Sequence, residues 1–283
     1  MAALAEAPST RYPVTSLRII SNMVSKFFSF WTGSPLGYIE RLCIASVLAA
    51  GHQLDVYSYE TDIKVPTGAA IRDANEILPQ NRAVIHKSGS WAPFADVFRY
   101  EGLLQSAGTW IDLDVLVLKP LHEIGDHIVG WQDAYVINNA VLRLPPNSAC
   151  LQSLVTLCRS EVVVPPQWPA RRKILQRLRG MVGAQVPMQE LEWGAVGPLA
   201  LTRLVCDHRL LHKCQPADVF YPVPWQQAHL MFEPDAAPVW DAMTSSTRAI
   251  HLWNDRIKGL KSSPPPRGSF IAQMCERYGI DLT

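Results

Sequence analysis

The sequence predicts one α/β domain with a mostly parallel central sheet flanked by helices. Three observations carry that reading. The first sixty residues alternate strand, helix and strand patterns, a βαβ unit whose crossover demands parallel strands. The run Trp110–Leu118 is apolar apart from Asp112 and Asp114, as in a strand covered on both faces. No clean linker divides the 283 residues.

Taken in order, residues 1–22 read as a loose lead-in containing Pro8 and Pro13. Lys26–Trp31 is rich in strand formers and is stopped by Thr32-Gly33-Ser34-Pro35, which is turn chemistry. Tyr38–Ala50 places Ile39, Leu42, Cys43 and Val47 on one helical stripe, and Gly51-His52 ends it. Leu54–Tyr59 alternates as a second strand. A short helix is expected near Ala69–Ile77, a longer one over Phe94–Ser106, then the strand Trp110–Leu118 closed by Pro120. Tyr135–Leu144 reads as a strand and Ser148–Arg159 as a helix. Val162–Pro169, with three prolines, is a connector. In Arg171–Val182, Ile174, Leu175, Leu178, Met181 and Val182 share one face, with the basic residues mostly off it. A helix over Gly197–Leu211, a short strand Arg248–Trp253, a proline-rich loop Ser262–Gly268 and a helix from about Phe270 complete the chain. Residues 23–145 then form a first half and 146–283 a C-terminal elaboration of the same domain.

Composition limits the function classes. Hydrophobic residues make up 48% and charged residues 18%, with a net charge of +1. That excludes a disordered chain, a coiled coil and bulk attraction to nucleic acid. None of the six cysteines forms a C-x-x-C pair, so they read as buried free thiols rather than a zinc ribbon. No run reaches the ~18 apolar residues of a membrane span, and the N-terminus lacks an apolar leader. The expectation is a cytoplasmic protein, with the inner face of a membrane as a place for peripheral contact.

Chemistry concentrates at Asp112-Leu113-Asp114. Carboxylates two apart on a strand point to one face, and burying both unpaired would be costly. They are better placed at a strand end or in a cleft, beside a cation. Hard oxygen donors of this kind suit Mg²⁺ or Mn²⁺. Upstream, Asp96 and Arg99 are neighbours on one helix face. They read either as a surface ion pair or as a carboxylate and guanidinium directed at sugar hydroxyls and phosphate.

The segment Asp96-x-x-Arg99…Leu103…Gly108-Thr109-Trp110-x-Asp112-x-Asp114…Lys119-Pro120-Leu121 resembles the DXD-containing sugar-binding region of glycosyltransferase family 32. That family and its relatives include globotriaosylceramide synthase-like α-1,4-glycosyltransferases, the yeast initiating mannosyltransferase and bacterial capsular-polysaccharide transferases, and more distantly the large clostridial glucosylating toxins. The family usually has two glycines before the aromatic residue, where this chain has Gly108-Thr109. Phe30-Trp31-Thr32-Gly33, Glu40-Arg41-Leu42, Gly51-His52, Asn138-Asn139-Ala140, Trp193-Gly194-x-x-Gly197-Pro198 and His251-Leu252-Trp253-Asn254 also resemble family segments, in order.

The resemblance implies a GT-A fold, a Rossmann-like sandwich that binds a nucleotide-sugar at the C-terminal ends of its strands, as open α/β sheets do. It implies transfer with retention, a UDP-sugar favoured as donor, a divalent ion (Mn²⁺ or Mg²⁺), and a glycan or lipid-linked acceptor, in bacterial surface-polysaccharide or glycolipid synthesis. Asp112, Asp114 and Arg99 would then sit at the reacting centre. Trp31, Asp96, Arg99, Asp112, Asn138, Asn139, Trp253 and Asn254 would bind the donor, with Trp31 stacking on the base. Asp112, Asp114 and His251 would hold the metal. Glu190 and Glu192 are weak candidates for a nucleophile, and front-face attack guided by the leaving phosphate needs none. The basic helix Arg171–Arg179 reads as a solvated face or as contact with an anionic membrane. Competing readings are a Mg²⁺-dependent phosphoryl-transfer or hydrolase domain, against which no G-x-x-x-x-G-K-[ST] loop is present, and a non-catalytic nucleotide-sugar-binding scaffold.

Overall fold

The computed structural model describes residues 25–33, 35–60 and 62–282, so the expected lead-in 1–22 lies outside the described residues. The central sheet begins with β1 (Lys26–Phe30), followed by helix α1 (Tyr38–Ala49) and strands β2 (Gln53–Ser58) and β3 (Ala69–Asp73). Helix α2 (Ala92–Leu104) leads into β4 (Thr109–Ile111), β5 (Val115–Val117), β6 (Ile128–Trp131) and β7 (Ile137–Arg143). The six-stranded sheet has the order β3-β2-β1-β4-β7-β6. Its first four strands run parallel, and β7 and β6 join antiparallel. This is the mostly parallel, helix-flanked arrangement the sequence predicts.

Alternation along β1 explains the layering, because successive side chains point to opposite faces. Phe27 packs with α1 and with Leu54, Val56 and Ile111 on one face. Phe28 and Phe30 pack with α2, Tyr57 and Trp110 on the other. That second face is also covered by α3 (Ala149–Arg159) and, beyond α4 (Ala170–Gly180), by α5 (Pro198–Asp207). Helices α6 (Ala217–Phe220) and α7 (Ala237–Asp241), strand β8 (Ala249–His251) and α8 (Phe270–Arg277) close the chain on the α1 side. One cluster therefore runs from Phe27 to Cys275.

Two glycines make the α2–β1–β4 junction possible. A Cβ at Gly102 would lie 2.3 Å from the Phe28 ring, so α2 rests directly on the sheet. Gly108 has φ +136 and would place a Cβ 2.3 Å from the Lys26 carbonyl oxygen, so the turn into β4 admits only glycine. The neighbouring Thr109 is a buried strand residue.

Three expectations are corrected. Ala69–Ile77 is not a helix: Ala69–Asp73 adds to the open edge of β2, and only Ala74–Glu76 forms a single 3₁₀ turn, capped by the Asp73 carboxylate on Asn75 N–H. The free backbone edge of β2 outweighs the helix propensity of two alanines. Trp110–Leu118 is not one strand. It breaks at Asp112-Leu113-Asp114, where Val115 N–H bonds the Asp112 carbonyl (3.1 Å), and β5 leaves the sheet to pair antiparallel with β8. The same-face argument for the two carboxylates therefore gives way to a turn. Finally, Cys206 is exposed and Cys214 half-buried, while the other four thiols are buried. Among the described residues, no helix is long and apolar enough to cross a membrane.

Candidate active site

The turn at Asp112–Asp114 sits at the C-terminal end of β4, where the parallel strands open into a cleft of about 640 Å³. Trp31 follows β1, Asp96 and Arg99 descend from α2, Asn138 and Asn139 open β7, and His251, Trp253 and Asn254 follow from β8. All of these line the cleft together with Asp112 and Asp114. The β5–β8 ladder is what brings residue 251 to residue 114: Val115 is paired with His251, and Leu252 N–H donates to the Asp114 carbonyl (2.8 Å).

Arg99 organises one side. Its guanidinium is buried and donates to the Asn139 carbonyl (2.9 Å) and to Asp112 Oδ1 (3.1 Å), and lies 3.4 Å from Asp96 Oδ1. It also stacks over Trp110, whose indole N–H donates to the same Asp112 oxygen (2.6 Å). The surface-pair reading of Asp96 and Arg99 is thereby overturned, since both are buried. Burial alone would lower the Arg99 pKa, but Asp112 and Asp96 hold it above the ordinary value, so it stays charged. Burial raises Asp96 against the opposing pull of Arg99 and of Asn139, whose Nδ2 donates to it at 2.8 Å.

The two carboxylates of the turn are driven apart electrostatically. Burial lifts Asp112 to about 6, with Arg99 opposing and the neighbouring Asp114 charge adding. Burial would lift Asp114 as well. There the His251 ring, 3.2 Å away, and the Asn254 N–H, 2.7 Å away, outweigh it and hold the carboxyl below its usual range. Ligand atoms of Asp112, Asp114 and His251 all lie within 4.8 Å of one another. His251 Nδ1 and Asn254 Oδ1 are buried with no hydrogen-bond partner among the described residues. A hard divalent cation with its attendant oxygens fits this donor set: two carboxylates, one imidazole and an orphaned amide oxygen.

Trp253 is buried. Its ring lies 4.1 Å from His251, and its indole N–H donates to the Val223 carbonyl (2.8 Å). Its φ of 59 is a left-handed conformation that a bulky residue adopts only under constraint. That backbone turn directs Asn254 N–H onto Asp114. Trp31 is half-buried at the cleft wall, anchored by its N–H to the Tyr57 carbonyl (2.9 Å). Asn138 donates to Gln132 Oε1 (2.7 Å), and Gln132 also lines the cleft.

Glu192 lines the cleft but is engaged by Arg172 (2.7 Å) and by the Trp168 indole. Glu190 is exposed and lies off the cleft. The resembling segments on α1 serve elsewhere. Buried Glu40 pairs with Lys261 (2.6 Å), and His52 accepts the Leu121 N–H (3.1 Å).

Sequence reasoning missed Tyr100, Gln132 and Tyr221, and gave Gly197 no partner. Tyr100 hydroxyl reaches Val196 O (3.1 Å), and Tyr221 packs against His251 and Trp253. Gly197 is the closest to the chemistry: a Cβ there would lie 2.3 Å from Asp96 Oδ2. The Gly-Pro turn was visible as a sequence pattern, but its contact with a residue a hundred positions away was not.

Comparison with known proteins places this geometry. A family model described as "Alpha 1,4-glycosyltransferase conserved region" matches residues 188–280, which contain the Gly-Pro turn and His251–Asn254. Lactosylceramide 4-alpha-galactosyltransferase of Pongo pygmaeus is 26% identical over 206 residues, covering 67% of this chain and 82% of that protein. The Homo sapiens protein of the same name is also 26% identical, with 50% of its length covered, and that of Rattus norvegicus is 25% identical, with 49% covered. The chain thus spans about half the length of most of the curated relatives it matches. Among solved structures, a PaToxG glycosyltransferase aligns with TM-score 0.40 and 13% identity over 65% of this chain and 69% of that one.

Proposed function

We propose that this chain, similar in sequence to α-1,4-glycosyltransferases, moves a hexose from a nucleotide-sugar, a UDP-sugar first, to a glycan or lipid-linked acceptor with retention of configuration. The observation that carries the reading is the meeting of Asp112, Asp114 and His251 in a cleft already furnished with Arg99, Asp96 and Asn139. The names of the relatives make galactose and a lactose-bearing glycolipid the first donor and acceptor to try. Surface polysaccharide is the other acceptor class.

Asp112, Asp114 and His251 would hold a divalent cation, Mn²⁺ or Mg²⁺. When bound, that ion supplies Lewis-acid neutralisation of the charge that grows on the leaving diphosphate. The chain's own residues do the rest. Arg99 is fixed in three directions, so it holds Asp112 still and offers a positive charge in a water-poor wall. Asp96 and Asn139 form a buried pair whose polar atoms face the cleft and suit sugar hydroxyls. Trp31 offers an aromatic wall for the base. In the transfer, the acceptor oxygen bonds to the anomeric carbon as the bond from that carbon to the β-phosphate oxygen breaks. The acceptor proton passes to the departing phosphate. Every carboxylate lining the cleft among the described residues is engaged by a cation or a hydrogen-bond donor, which favours front-face attack over a protein nucleophile.

The test is donor hydrolysis. Purified chain with a panel of UDP- and GDP-sugars should release nucleoside diphosphate from one donor with Mn²⁺. Release should disappear with EDTA and in Asp114→Ala. Binding of UDP without any turnover, with or without glycolipid acceptor, would support a scaffold instead. Turnover indifferent to EDTA would remove the metal from the reading.

A further inference from the structure

We propose that the outward face of α4 docks this chain onto an anionic lipid bilayer beside the mouth of the cleft. The proposal rests on the glycosyl-transfer reading only for what the bilayer presents. Helix α4 is mounted inside out. Its buried side chain is polar: Gln176 donates to the Val163 carbonyl (3.1 Å) and the Val186 carbonyl (2.8 Å), and accepts from Val186 N–H (3.1 Å). The apolar residues face water instead. Ile174, Leu175 and Leu178 are 54%, 47% and 55% exposed, and Met181 and Val182, in the turn that follows, are 82% and 78% exposed. At 3.6 residues per turn Ile174, Leu175 and Leu178 fall on the half of the helix away from Gln176, and Met181 and Val182 follow at its end.

Charge identifies the occupant. Residues 162–189 contain Arg171, Arg172, Lys173, Arg177 and Arg179 and no Asp or Glu. Among the described residues only Arg172 of these five meets a carboxylate, that of Glu192. An aliphatic arc rimmed by cations matches a surface that is apolar within and negative at its headgroups. A second copy of the chain would set the same five cations against themselves. The face is also tied to the cleft. Arg172 stacks over Trp168 and pairs with Glu192, and Glu192 and its neighbour Trp193 line the cleft. Trp193 is 58% exposed, and an indole in that position suits the membrane interface. A docked α4 would present the cleft to an acceptor held in the same bilayer.

The test is flotation of the full chain with vesicles of phosphatidylcholine alone and of an equal mixture with phosphatidylglycerol. Wild type should float with the mixed vesicles and not with the neutral ones. The double variant Ile174→Glu/Leu178→Glu should lose at least about tenfold in binding. So should the triple variant Arg171→Gln/Arg177→Gln/Arg179→Gln, with melting temperature and donor hydrolysis unchanged in both. No flotation, or equal binding to neutral and anionic vesicles, overturns the proposal. So does a wild-type dimer in sedimentation velocity that Ile174→Glu/Leu178→Glu dissolves, since the occupant would then be a second copy. Absence of donor hydrolysis in wild type would overturn the transferase reading and leave the flotation result standing.

Discussion

Arg99 shows how much one side chain can organise. A planar fork lets it hold the Asn139 carbonyl and the Asp112 carboxylate at once while its face covers Trp110. A lysine keeps the charge but has no fork and no plane. Arg99→Lys is therefore expected to lower kcat/KM for donor hydrolysis at least about tenfold, chiefly by freeing Asp112. The measurement is steady-state kinetics beside a urea melt. An unchanged rate would mean that Asp112 is positioned by Trp110 alone.

At the scale of elements, the site depends on short connections packed against α2. The turn Gly194–Pro198 presses on Asp96 with no room for a methyl group. Alanine there would collide with a carboxylate already held by Asn139 and Arg99. Gly197→Ala should destabilise the fold by about 1–3 kcal/mol, as overpacking does, and should reduce turnover as well. Adding Asp96→Ala should recover part of the stability and none of the turnover, the coupling expected of residues in contact. A double-mutant cycle by urea denaturation reads it, and additive losses would count against the contact. The same logic explains the broken strand: β5 leaves the main sheet because Val117 N–H finds Ser46 Oγ on α1 (2.8 Å) and β8 supplies a new partner.

For the molecule as a whole, His52 links stability to pH. It is buried where α1 hands over to β2, accepts the Leu121 N–H, and leaves its Nδ1 with no partner among the described residues. Burial, with His122 nearby, depresses its pKa to about 4. In the unfolded chain it takes a proton below its ordinary value of about 6.5, and in the folded chain only near 4. Stability from this group is therefore complete above about pH 6.5 and is lost as pH falls toward 4, on the order of 3 kcal/mol across that window. Urea unfolding at pH 7 and pH 4.5 should show a smaller loss for His52→Gln than for wild type. Equal losses would assign the acid sensitivity to other groups.

The βαβ opening, the apolar strand into Asp112 and the helix carrying Asp96 and Arg99 were all legible in the sequence, because period and turn chemistry are local. The sequence also marked Asp112, Asp114, His251 and the asparagines, since the residue types and their order resemble a known pattern. Tertiary structure decided what depends on distant partners. It broke Trp110–Leu118 into two strands in two sheets and turned Ala69–Asp73 into an edge strand, each time because an open backbone edge elsewhere was the better partner. It set Gly197 against Asp96 and brought His251 to Asp114 across a sequence separation of 137. It also settled which way α4 faces. Amphipathic spacing gives a helix two faces, and only the packing of Gln176 shows that the apolar residues face outward.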